Sequence, residues 1–142
     1  MKENLEFLSA LLKTIQTGQV EIRSVLDTPL CSGLRSTLES QLREYDSIET
    51  EAFTIALQRG WELPELDPGR RFLKDRVTRL KLNGRGTDSR IADLLIQGNT
   101  KGMIQGLRNL HRFSGQDHQI RILSQKLLDC ETAHIRQMQA FL

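Results

Sequence analysis

Apolar residues recur along this chain at three- and four-residue steps, with few β-branched runs and three prolines, a pattern that predicts helices throughout and leaves strands almost nowhere to form. The first helix is expected over about 3–27, with Leu5, Leu8, Leu12, Ile15, Ile22 and Leu26 on one stripe. It stops before "DTP", because Pro29 disfavours helical geometry at Thr28. The second runs from Pro29, a suitable first-turn residue, to Gly60, with Leu34, Leu38, Leu42, Tyr45, Ala52 and Ala56 inward. "WELPELDPG" reads as a loop. A short amphipathic helix over roughly 69–82 follows, carrying Phe72, Leu73, Val77 and Leu80 on one side.

After the break "NGRGTDS", Thr87 or Asp88 can cap a third long helix over about 88–114, whose face carries Ile91, Leu95, Leu110 and Phe113 with Gly98, Gly102 and Gly106 in register. Asp117 can cap the fourth, which runs to the end with Ile120, Leu123, Leu127, Met138 and Phe141 on its stripe. The expected architecture is all-α: a single domain over 1–142, an up-and-down four-helix bundle with an extra short helix in the connection between helices 2 and 3. At 142 residues such a domain buries a core without disulfide or metal staples.

Five polar residues interrupt the inward stripes. On the last helix, "DCETAHIRQM" places Glu131 and His134 between Leu127 and Met138; the same wheel puts Glu49 between Tyr45 and Ala52, Gln19 on the first helix and Asn99 on the third. A buried carboxylate and imidazole need a partner, either each other, as in a Glu49–His134 ion pair supported by Gln19, Asn99 or Tyr45, or a metal ion.

"Glu131-Thr-Ala-His134", its inward orientation, the long connection between helices 2 and 3 and the runs "LLKTIQTGQ", "ALQRGWELPE" and "LLIQGNTKGMIQGL" together resemble the ferritin-like superfamily, in particular a branch of small bacterial helical-bundle proteins. The resemblance implies a dinuclear metal site that takes a Glu from each of two helices and a Glu-x-x-His pair from each of the other two. Three positions depart from that pattern: Ala52 stands where a His would follow Glu49, and the amides Gln19 and Asn99 stand where lone carboxylates would fall. Only Glu49 and Glu131 would then offset the charge of two ions, so a non-catalytic bundle with a degenerate site, acting through interaction or structure, is the leading expectation. The alternative is a mononuclear Fe, Mn or Zn site at Glu49, Glu131 and His134, completed by Gln19 and solvent, with storage or oxidoreductase chemistry.

Charge alters this picture in one respect. The total, 20 Lys and Arg against 18 Asp and Glu, is too balanced to point to nucleic acid or membrane. Its distribution is uneven: 39–67 carry eight acidic residues and 70–90 eight basic ones. Arg70, Arg71, Lys74, Arg76, Arg79 and Lys81 form a candidate anion-binding face, but Phe72 belongs to the apolar side, so no aromatic platform for stacking bases is expected. Opposed acidic and basic stretches favour association of the chain with itself, and a homo-oligomer is the expected partner state. Cys31 and Cys130 are too isolated for a disulfide framework, and "MKENLEFLSALLKTIQ" lacks the unbroken apolar run of a leader; a cytoplasmic protein is expected.

Overall fold

The computed structural model describes residues 2–63, 87–113 and 117–142. The short helix expected over 69–82, and with it Arg70, Arg71, Lys74, Arg76, Arg79 and Lys81, lies outside the described residues. Those described form four α-helices and no strand: α1 (Lys2–Leu26), α2 (Ser32–Gln58), α3 (Thr87–Arg112) and α4 (His118–Gln139). None of them is long and apolar enough to cross a membrane.

Local chemistry sets the helix ends. α1 ends where Thr28 donates its hydroxyl to the Val25 carbonyl and Arg35, reaching over from α2, donates to the carbonyls of Leu26 and Thr28. Those bonds satisfy carbonyls that lack a partner within their own helix. α2 starts later than Pro29 because Cys31 is extended (φ −63°, ψ 154°) and its Sγ accepts from the Leu34 N–H at 3.4 Å. Its far end closes at Gly60, whose φ of +67° lets the N–H groups of Gly60 and Trp61 turn back to the carbonyls of Leu57 and Ala56. Asp117 caps α4 as its sequence position predicts, with Oδ1 accepting from the Ile120 N–H at 3.1 Å. α3 runs unbroken through "QGNTKG".

Buried residues follow the 3.6-residue period: Leu8, Leu11, Leu12, Ile15, Ile22 and Val25 from α1 meet Leu34, Leu38, Tyr45, Ile48 and Ala52 from α2. Ile91, Ala92 and Leu95 from α3 and Ile120, Leu123, Leu127 and Met138 from α4 complete the core. Each fully buried Leu or Ile contributes about 1.5–3 kcal/mol of hydrophobic stabilisation, so this stripe outweighs any single polar contact in the molecule. Phe7 and Phe113 stack at one end with centroids 5.0 Å apart.

Contacts along the helices fix their directions. α1 packs on α2 and α3, and α4 packs on α3 and α2, so the order around the bundle is α1, α2, α4, α3. Arg112 reaches Glu6, Lys126 reaches Glu51 and Gln41 reaches Gln137, which makes the α1–α3 and α2–α4 pairs antiparallel. The start of α2 meets the start of α3, where the Cys31 N–H donates to Asp88. Helices α2 and α3 therefore run in the same direction, and strict up-and-down alternation holds within each hairpin but not across the connection.

A candidate metal centre between α2 and α4

On α2 the inward line passes through Gln41, Tyr45, Ile48 and Ala52 at alternating four- and three-residue steps. Ile48 takes the inner place and turns Glu49 to the α1 side, half buried, where its Oε2 accepts from Gln16 Nε2 at 3.2 Å. Glu44 falls on the opposite flank, at the seam with α4. There, Cys130 and His134 stand one helical turn apart on a shared face.

These three side chains converge. Glu44 Oε2 lies 3.0 Å from His134 Nε2 and 3.3 Å from Cys130 Sγ, and Sγ lies 3.3 Å from Nε2. Among the described residues this is the group of His, Cys, Asp and Glu donors gathered closely enough to hold an ion. His134 is fully buried, with the Tyr45 ring edge-on at 5.0 Å, and Cys130 is nearly so, while the Glu44 side chain is 45% exposed. The cluster is thus anchored in the core and open to solvent on one side.

Burial dominates its electrostatics. It pushes the Cys130 thiol far above its ordinary pKa, with further upward contributions from the hydrogen bond to Glu44 and from the negative charges of Glu44 and Glu131. It also lowers the His134 imidazole, against the opposing pull of Glu44. Without an ion, thiol and imidazole are both neutral, and one carboxylate oxygen faces both.

The other inward polar residues lie elsewhere. Gln19 is buried but donates its Nε2 to Asp46 Oδ1 at 2.9 Å. Asn99 accepts from the Tyr45 hydroxyl at 3.0 Å. Glu131, 2% exposed, turns toward α3, with Oε2 lacking a hydrogen-bond partner. Burial raises its pKa to about 8; a hydrogen bond from Tyr45 opposes this and the charge of Glu21 adds to it. Glu49, Glu131 and His134 are therefore not brought to a common point: His134 is joined by Glu44 and Cys130 instead. The sequence pattern marks Cys130 only as too isolated for a disulfide and carries no signal for Glu44, whose position depends on how α2 and α4 pair.

The spacing suits a small borderline-soft ion. Zinc takes thiolate sulfur at about 2.3 Å and imidazole nitrogen or carboxylate oxygen at about 2.0–2.2 Å, so tetrahedral donors lie roughly 3.3–3.7 Å from one another. The observed triangle of 3.0, 3.3 and 3.3 Å is within a few tenths of an ångström of that. Comparison with protein-family models, with curated proteins and with solved structures finds no match to this chain.

Proposed function

We propose that this protein is a ferritin-like helical bundle that lacks a dinuclear centre and binds a single zinc ion through Glu44, Cys130 and His134. The observation that carries the metal assignment is the near-equilateral triangle of sulfur, nitrogen and oxygen donors at the α2–α4 seam. The ferritin-like assignment is supported by two antiparallel hairpins whose middle helices run parallel across one long connection, the connectivity those folds use. Bound zinc would convert the Cys130 thiol to thiolate and release its proton. Three protein donors with one exposed side leave a fourth position for water, while the ion ties α2 to α4.

Metal analysis of protein purified without chelator tests this. About one zinc per chain is expected, lost in both Cys130→Ser and His134→Ala, with Cys130 shielded from a thiol reagent that still modifies the exposed Cys31. Protein that stays zinc-free when zinc is supplied sinks the reading.

Self-association is a second reading, favoured by Leu57 and Ile122, which present 82% and 56% of their surface to solvent. Mass measurement in solution decides it: a dimer or higher species dispersed by Leu57→Glu supports it, and a strict monomer at high concentration removes it.

A further inference from the structure

Between α1 and α3 lies a groove of about 950 Å³, within the size range of small-molecule sites. Its upper walls include Leu5, Ala10 and Phe113, and Glu21, Tyr45, Asn99 and Glu131 contribute polar groups. α3 passes its glycines across this space, and side chains there would collide with the acids. A Cβ at Gly98 would come within 2.4 Å of the Glu21 carboxylate, and one at Gly102 within 2.8 Å of Glu131 Oε1. Both glycines cost helix stability, about 1 kcal/mol each relative to Ala, and both clear room for a carboxylate.

Two acids from two different helices are thus seated against successive turns of α3, about 5–6 Å apart by the helical pitch. Glu131 is the more telling of the two, because it is almost wholly buried, lines the groove and leaves Oε2 without a hydrogen-bond partner. A buried acceptor of this kind is costly unless a donor reaches it. The Tyr45 hydroxyl, shared between Asn99 and Glu131, does not satisfy Oε2.

We propose that the groove binds a small organic cation, a primary amine on an apolar body, with its ammonium group received by Glu131 beside Glu21 and its body lying along the α1 wall toward Ala10. An ammonium carries three donors and one positive charge, which matches an unpartnered carboxyl oxygen and a second acid nearby. The exposed Lys13, Lys101 and Arg112 stand at the rim, in water, and favour entry of the ligand apolar end outward over a dication. Glu44, Cys130 and His134 lie on another flank of α4 and do not line the groove.

Calorimetric titration with hexylamine, hexanol and hexanoate, matched in chain length, tests the proposal, with amide chemical shifts locating the site. Hexylamine is expected to bind more tightly than either counterpart and to shift signals from α1 and α3. Glu131→Gln, near-isosteric, should weaken hexylamine by roughly ten- to a hundredfold while leaving hexanol unchanged. Ala10→Phe, which narrows the groove without touching either acid, should weaken it as well and guards against a folding defect in the first variant. Hexylamine binding no tighter than hexanol, binding indifferent to Glu131→Gln, or displacement of hexylamine by stoichiometric manganese or calcium would each overturn the proposal.

Discussion

Glu131 and His134, three residues apart on α4, face different helices: His134 Nε2 meets Glu44 of α2 at 3.0 Å, whereas Glu131 lies where a side chain on Gly102 of α3 would be. On a helix three residues span about 300°, so the two are offset by about 60°, enough at the centre of a bundle to separate neighbours on opposite sides. A pair that reads as one chelating unit is split between a polar cluster and a groove.

The split makes a clear prediction about the acids of α2. Glu44→Gln should weaken zinc binding by at least tenfold, since it removes the charged oxygen donor, whereas Glu49→Gln should leave it within about twofold, because Glu49 bonds to Gln16 on the far flank. Competition against a chromophoric chelator measures both. Equal losses in the two variants would show that α2 is rotated from the register described.

The four long helices, the Asp117 cap and the Gly60 stop were legible because each depends on residues within a turn or two of itself. Burial of Gln19, Asn99, Glu131 and His134 was legible for the same reason. Glu49 was not, since Tyr45, Glu49 and Ala52 make a plausible stripe until Ile48 competes for the inner place, and an apolar side chain wins that contest by about 1.5–3 kcal/mol of burial. Glu44 required knowledge of a pairing between helices separated by 86 to 90 residues in sequence. Nor could the glycines of α3 be assigned to the carboxylates they clear from periodicity alone, because packing against a helix and space for an acid leave the same pattern.

Asp117 predicts how stability responds to acid. Its hydrogen bond with Arg59 holds the carboxyl below the ordinary range, helped by the Ile120 N–H and opposed by partial burial. A depressed folded pKa means stabilisation that is present above the unfolded value near 3.9 and lost as pH falls through the folded one. Asp117→Asn keeps a capping oxygen but removes the charge, so it should cost about 1 kcal/mol at pH 7 and converge with the parent protein as pH falls through the folded value. Urea unfolding at several pH values measures the difference; a constant gap across that range contradicts the assignment.

Gly18 and Gly33 predict opposite responses to one methyl group. At Gly18, in the middle of α1, an added Cβ would lie 2.6–2.8 Å from the Tyr45 ring, which is 1% exposed and backed by Asn99 and by the edge contact to His134. Tyr45 cannot retreat without releasing its hydrogen bond or pressing on the zinc-site imidazole, so Gly18→Ala should destabilise by about 1–3 kcal/mol despite the better helix propensity of alanine. At Gly33, exposed in the first turn of α2, the same Cβ would meet Phe141 at 3.7 Å, an ordinary contact, and the substitution should stabilise by up to about 1 kcal/mol. Urea midpoints for the two variants should move in opposite directions. A stabilising Gly18→Ala would mean that Tyr45 does not pack across α1 as described, and the edge contact that positions His134 would fail with it.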